Sequence, residues 1–349
     1  MSWCGLDGHD AIVQQFRCSL QQKRLASTFL FVGPSGIGKR QFALRLAQAM
    51  LCDRTAEVEL QPCQACDGCI QVAALTHPDL EIVSKPDDKS FIPLDSFIGD
   101  REHRAREGLC HWISLKPTGG KRRIALIDDA DHLNEEGANS LLKTLEEPPP
   151  RSLLVLIGTS VQRQLPTIRS RCQIVRFHPL PAATVRRLLE TAPWLEVPGD
   201  EDRERFLDEL VTLAEGSLDR AREFGDIEML RFLDHVLANW CRPDAESWVI
   251  AKEIHAFMEK AGKEAPAKRA RLRLVIERLI GHMRSELSRV APTQLAANVS
   301  AGGVAEWDIL SQRIDRSLAA LQHIDSFGNL SNVIECWIDD IWQTTRNEF

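Results

Sequence analysis

Thr28-Phe29-Leu30-Phe31-Val32-Gly33-Pro34-Ser35-Gly36-Ile37-Gly38-Lys39-Arg40 is the stretch that decides the fold. Its first five residues form a short apolar run without polar alternation, the pattern of a parallel strand covered on both faces. The next eight carry glycines at 33 and 38 and a lysine at 39, the spacing of a phosphate-binding loop. Glycines let backbone N–H groups curl around phosphate oxygens, the N-terminus of the following helix adds a favourable dipole, and Lys39 brings positive charge. Helical spacing resumes from Gln41 to Leu51, so strand, loop and helix arrive in the order such a loop requires. The candidate nucleotide-binding residues are therefore Gly33, Pro34, Ser35, Gly36, Ile37, Gly38, Lys39 and Arg40. Arg40 stands where a Ser or Thr hydroxyl would bind Mg²⁺, and a guanidinium cannot ligate a cation. ATP binding stays open on this reading, and Mg²⁺-dependent hydrolysis is disfavoured. A Gly-rich turn without a ligand is the plainer alternative.

Two further apolar runs, Arg123 to Ile127 and Leu153 to Ile157, read as strands of the same kind, with helical spacing between them from Gly137 to Leu145. Strands alternating with helices give a doubly wound α/β domain over the first half of the chain. The second strand runs into Asp128-Asp129-Ala130-Asp131. There Asp128 could hold Mg²⁺ through water and Asp129 could orient an attacking water. A helix-capping acidic turn, with Asp131 or Asn134 as the cap, is the other reading. The third strand ends in Gly158-Thr159-Ser160, placing the Thr159 and Ser160 hydroxyls beside the same site.

Cys52, Cys63, Cys66 and Cys69 fall within eighteen residues, spaced x10, x2 and x2. Four thiolates at that spacing can close a tetrahedral shell around Zn²⁺, which leaves no open position and so makes the ion structural. An iron–sulfur cluster and unligated thiols are the alternatives. The other six cysteines are scattered and read as packing residues.

The 349 residues exceed one ordinary core, and the formal net charge of −7 gives no global positive field to draw the chain onto DNA. No apolar run is long enough to span a membrane and the first residues do not resemble a signal peptide, so a cytoplasmic protein with no membrane partner is expected. Past Phe177-His178-Pro179-Leu180-Pro181 the pattern is almost entirely helical, broken at Pro193, Pro198, Gly216 and Gly225. The segment 291–304 reads as a loop. The basic stretch from Lys268 to Arg289 reads as a solvated helix face, with DNA phosphate or an acidic subunit as the less favoured contact. Trp337 and Trp342 fit a buried or an interface helix.

Three segments carry a family resemblance: the cysteine insertion followed by Thr76-His77-Pro78-Asp79, the segment from Ala138 to Pro149, and Leu165-Pro166-Thr167-Ile168-Arg169-Ser170-Arg171-Cys172. Together with the loop they resemble bacterial clamp loader subunits of the gamma/tau and delta-prime type, over residues 33 to 172. The resemblance implies a RecA-like AAA+ parallel-sheet domain (1–180) with a zinc-binding insertion at 52–69, a helical lid (181–225) and an all-α collar (226–349). It also implies a hetero-pentamer with gamma/tau and delta subunits that loads the sliding clamp onto primer–template DNA. By the same resemblance Arg171 is a trans-acting arginine finger for ATP held by a neighbour, a role suited to a planar cation.

Departures from the gamma/tau pattern favour the delta-prime type. Arg40 and Asp129 replace the expected Thr and Glu. In Gly216-Ser217-Leu218-Asp219-Arg220, Asp219 takes the sensor 2 arginine position and Arg220 lies about 100° further around a helix. The expected function is a clamp loader subunit of the DNA polymerase III holoenzyme with little or no ATP hydrolysis of its own. The alternatives are an active gamma/tau-type ATPase subunit and a stand-alone zinc-dependent nucleic-acid-binding module.

Overall fold

The apolar run at 28–32 is the strand β1 (Thr28–Val32) of a computed structural model that describes residues 3–86, 88–100, 102–104, 106–197, 200–240, 246–262, 264–296, 301–326 and 328–346. In chain order come α1 (Asp10–Gln21), β1, α2 (Lys39–Leu51), α3 (Asp67–Ala73), β2 (Leu80–Val83), α4 (Asp95–Ile98), α5 (Leu109–Ser114), β3 (Arg123–Ile127), α6 (Glu135–Glu146), β4 (Ser152–Gly158), α7 (Pro166–Arg169), β5 (Gln173–Arg176) and α8 (Ala182–Glu190). The sheet is wholly parallel, in the order β2-β3-β4-β1-β5.

Successive strand residues point to opposite faces, and both faces are covered here. Phe29, Phe31, Ile124, Leu126, Leu153 and Val155 pack with Phe16 of α1 and with Phe42 and Leu46 of α2. Leu30, Val32, Ala125, Ile127, Leu154 and Leu156 pack with Leu109 and Ile113 of α5 and with Leu141 and Leu145 of α6. This is a three-layer α/β architecture built on a wholly parallel sheet, the layering that the resemblance implied. The three central strands were legible because burial on both faces requires unbroken apolar runs. Strands β2 and β5 lie at the sheet edges, and their four-residue sequences carry Glu81, Gln173 and Arg176, so no such run marks them. Asp79, part of the quoted motif, is fully buried and accepts the amide N–H groups of Thr118 at 2.8 Å and Gly119 at 2.9 Å, so it fixes the entry to β2.

Because all strands run the same way, the loops after β1, β3 and β4 emerge at the same, C-terminal edge of the sheet. That is where open α/β sheets bind ligands.

The chain divides into two compact units, Met1–Thr191 with Glu215–Asp219, and Ala192–Ala214 with Arg220–Phe349. The second is helical: α9 (Asp200–Ala214), α10 (Leu218–Phe224), α11 (Ile227–Trp240), α12 (Ser247–Glu259), α13 (Ala265–Ala296), α14 (Ala301–Asp325) and α15 (Leu330–Arg346), the first residues of α10 belonging to the first unit. Helix breaks fall at Pro193, Gly216 and Gly225, and Pro198 lies outside the described residues. The loop expected over 291–304 is helical at 291–296 and 301–304, where strong helix formers such as Ala296 and Leu295 continue the pattern, and 297–300 lie outside the described residues. Trp337 is a core residue whose Nε1 donates to Ser317 Oγ at 3.0 Å.

The basic stretch is largely neutralised within its own unit. Lys268 pairs with Glu259 at 2.6 Å, Arg271 with Asp226 at 3.7 Å, Arg273 with Glu277 at 3.9 Å, and Arg278 with Glu209. Arg271 also stacks on Phe257 with 4.5 Å between guanidinium carbon and ring centre. Of the scattered cysteines, Cys172 is buried, and burial pushes its thiol up to about 12, whereas Cys18 and Cys336 are exposed and Cys241 lies outside the described residues. Among the described residues no helix is long and apolar enough to cross a membrane.

Candidate functional site

Three strand ends converge on a cavity of about 610 Å³ at the C-terminal edge of the sheet. Its lining includes Ser35, Gly36, Gly38, Lys39, Arg40, Asp128, Asp129, Asp131, Thr159 and Asp219. Gly38 precedes α2 in the left-handed region at φ +94°, a conformation glycine adopts without a Cβ penalty. Lys39 Nζ donates to the carbonyls of Gly33 at 2.7 Å and Pro34 at 2.5 Å, so it is folded back onto its own loop. Burial draws its pKa down, opposed by the carboxylates of Asp131, Asp128 and Asp219. Pro34 and Gly33 shape the loop without lining the cavity, and Ile37 is buried in the core beneath it.

Arg40 Nε lies 3.3 Å from Asp128 Oδ2. Burial raises the Asp128 carboxyl above the usual range and the neighbouring Asp129 raises it further, while Arg40 pulls the other way. The arrangement does not fit a Mg²⁺–nucleotide as it stands. The position that should offer a hydroxyl holds a guanidinium, and that guanidinium occupies the acid that would bind the ion.

Asp131 does not cap a helix. Its carboxylate accepts the Thr159 amide at 2.7 Å, the Thr159 hydroxyl at 2.6 Å and the Gln164 side-chain amide, and Asn134 caps α6 by accepting from the Gly137 N–H at 2.8 Å. Thr159 therefore lines the cavity, whereas Ser160 accepts the Arg163 amide at 3.3 Å in the following turn and lies outside the lining.

His9, buried against Phe177 at 4.9 Å between ring centres, presents Nε2 to the Ile37 carbonyl at 2.7 Å. Burial lowers its pKa. A histidine held neutral in the folded state contributes stability that is complete above the ordinary histidine value and is lost as pH falls through the lowered one. Cooling of the melting temperature between about pH 7.5 and about pH 5.5 should thus be smaller in His9→Gln than in the wild type. Equal slopes in a thermal melt series would contradict this.

The four cysteines of the 52–69 insertion meet. Cys52, Cys66 and Cys69 are buried, and all four Sγ atoms lie within 4.8 Å of one another. Cys52 and Cys66 sulfurs are 3.8 Å apart, and those of Cys63 and Cys69 4.0 Å. A tetrahedron with metal–sulfur bonds of about 2.3 Å has sulfurs about 3.8 Å apart, so the donor set fits a four-coordinate ion. Amide N–H groups of Asp53 and Cys69 point at Cys66 Sγ at 3.4 Å, and that of Cys63 at Cys52 Sγ at 3.5 Å, contacts that favour thiolates. Burial raises the Cys52 thiol, but hydrogen bonds outweigh it and bring the pKa to about 5; Cys69 is raised by burial and by the sulfurs of Cys66 and Cys52. Four sulfurs this close form a donor set that a cation can close once the thiols give up their protons. Gly68 cannot be replaced freely, because a Cβ there would meet the Leu51 carbonyl oxygen at 2.6 Å.

Arg171 lies at the other end of the sheet. Its carbonyl accepts from Thr28 Oγ1 at 2.8 Å, at the start of β1, whereas the phosphate loop follows the end of β1. Five residue steps of strand separate the two, roughly 16 Å. The side chain is 30% exposed; Nε donates to Glu146 Oε1 at 2.7 Å, Nη2 donates to the same oxygen, and Nη1 donates to the Thr167 carbonyl at 3.0 Å.

Sequence reasoning missed Gln164, His9 and Glu146 as members of these sites. Gln164 and His9 lie outside every quoted motif, and Glu146 lies inside the Ala138–Pro149 segment without local sign of its partner; each is defined by a contact across 25 or more residues.

Residues 8–181 match the family described as "DNA polymerase III, delta subunit". The chain is 34% identical over 192 residues to DNA polymerase III subunit delta' of Pseudomonas aeruginosa, covering 55% of this chain and 53% of that one. It is 37% identical over 173 residues to the subunit delta' of Bacillus subtilis, covering 49% and 48%. A gamma/tau subunit of Mycobacterium bovis is 30% identical over 188 residues, 54% of this chain and 30% of that one. The chain thus spans about half the length of the delta' relatives it matches. With the parallel sheet, the glycine-rich loop and the cysteine cluster all inside the matched region, residues 8–181 belong with the DNA polymerase III delta-subunit family and are most similar in kind to the subunits named delta'.

Proposed function

We propose that the chain is a clamp loader subunit of the DNA polymerase III holoenzyme, acting in the cytoplasm with gamma/tau and delta subunits in a hetero-pentamer that places the sliding clamp on primer–template DNA. Its own nucleotide site turns over little or no ATP, and Arg171 completes the site of a neighbouring ATPase subunit. The observation that carries this is the separation of the two features. The partly exposed Arg171 lies at the opposite end of β1 from the chain's own phosphate loop, so its guanidinium serves a phosphate held by another subunit. The ion pair between Arg40 and Asp128 supports the silent site.

The four cysteines hold a structural Zn²⁺, which ties α2 to α3, and the helical region divides into a lid (181–225) and a collar (226–349). An active gamma/tau-type ATPase is disfavoured by Arg40. A stand-alone nucleic-acid-binding module is disfavoured by the acidic partners that neutralise residues 268–278. The isolated chain should hydrolyse no ATP above background, and adding it to gamma/tau and delta subunits should raise DNA-stimulated hydrolysis. Turnover by the isolated chain at the rate of the assembled complex would sink this reading.

A further inference from the structure

A carboxylate rests on the phosphate loop. Asp219 Oδ2 accepts the Ser35 hydroxyl at 2.6 Å, and the Leu218 amide donates to the Gly36 carbonyl at 2.9 Å. These two adjacent contacts lay residues 217–219 across the loop as a strap, within the same compact unit as the loop itself. The approach is also close in space. Gly36 adopts φ +67°, and a Cβ on it would lie 2.4 Å from the Asp219 nitrogen and 2.5 Å from Ser217 Oγ. The strap is anchored on its other side, where the Leu180 amide donates to the Gly216 carbonyl at 3.0 Å.

The loop's own charge is meanwhile satisfied from within. Lys39 donates to two loop carbonyls, and Asp219 is one of three carboxylates that act on its ammonium. Arg40 is occupied by Asp128. An entering polyphosphate would bring its negative charge to a loop whose hydroxyl already donates to a carboxylate, and like charges in a partly desolvated cleft repel strongly.

We propose that Asp219 determines what this cavity accepts, acting as a built-in anion that occupies the phosphate loop and excludes nucleoside di- and triphosphates. The inference rests on reading residues 33–40 as a phosphate loop, and it is independent of the assignment of Arg171. It separates two ways of silencing a site. Arg40 obstructs the metal, whereas Asp219 obstructs the phosphate, so the two substitutions have different consequences for binding.

The test is equilibrium titration of the full-length chain with a fluorescent ATP analogue, without Mg²⁺ and then with it. The chains compared are wild type, Asp219→Ala, Asp219→Asn and Arg40→Thr, each checked for folding by thermal melting. Removing the charge should tighten metal-free binding by about tenfold or more in both Asp219 variants, while Arg40→Thr, which takes a cation out of the cavity and leaves Asp128 without its partner, should not tighten it. Asp219→Asn keeps the side-chain shape, so it remains the deciding variant if the alanine chain does not fold. Metal-free binding by folded Asp219→Asn no tighter than by wild type overturns the proposal, as does a full gain from Arg40→Thr alone. Should Asp219→Asn bind tightly while Arg171→Ala leaves the assembled complex unchanged, the strap stands and the arginine assignment falls.

Discussion

Cys66→Ala is expected to release the metal and unravel the segment from Cys52 to Cys69, while the parallel sheet stays folded. The Cys66 sulfur links both ends of the insertion: it accepts the amides of Asp53 and Cys69, caps α3, and lies 3.8 Å from Cys52 Sγ. Beyond the ion pairs of Glu57 with Arg122 and of Asp53 with Lys121, little else holds the insertion. Between residues 53 and 66 the buried apolar residues are Leu60, Pro62 and Cys66 itself, and Leu60 is anchored through its carbonyl to Trp3 Nε1 at 2.8 Å. Structural zinc in small Cys sites contributes on the order of 10 kcal/mol or more of apparent binding free energy, far beyond what one buried leucine supplies. Metal analysis of the purified wild type should give one zinc per chain and of Cys66→Ala none, with a fall in melting temperature that chelator reproduces in the wild type. Full metal content in the variant would contradict the ligand set.

Arg171→Ala is expected to lower ATP hydrolysis at the neighbouring site by about 10³-fold or more, the usual effect of losing an arginine finger. The loss should fall on turnover and leave nucleotide affinity little changed, because the guanidinium acts on charge that develops during transfer. Lysine should not restore it, since an ammonium lacks the planar fork. In the isolated chain Nε and Nη2 of Arg171 are paired with Glu146, and that carboxylate is half exposed, so the pair can part when a phosphate competes. Folding should not suffer: an ion pair this accessible contributes at most about 1 kcal/mol.

What the sequence disclosed follows from how locally each feature is encoded. The three central strands need unbroken apolar runs, and the cysteine cluster needs only four residues at short spacing, so both could be read directly. The edge strands β2 and β5 are half exposed and carry charged residues, which hides them. The loop's missing metal-binding hydroxyl could be read at Arg40, yet the carboxylate resting on the loop could not, because Asp219 reaches Ser35 across 184 positions. The sequence marked Asp219 as an acid in an arginine's place without revealing that it sits on the loop. Asp131 shows the same limit: a capping acid by local pattern, it is instead the fixed partner of Thr159, 28 residues away. The basic stretch at 268–289 was legible as positive but most of its neutralisation was not, since Glu209 comes from α9, Asp226 from the turn before α11 and Glu259 from α12.

On the proposed function, Arg171 serves a nucleotide site that belongs to a neighbouring subunit. The most direct measurement is single-turnover ATP hydrolysis, triggered by primer–template DNA, in the complex reassembled from gamma/tau and delta subunits with either wild-type chain or Arg171→Ala. Assembly and nucleotide occupancy should be equal in the two complexes, with one class of site falling silent in the variant. Hydrolysis that proceeds at the wild-type rate in every site, in a complex shown to contain the variant chain, would contradict that role.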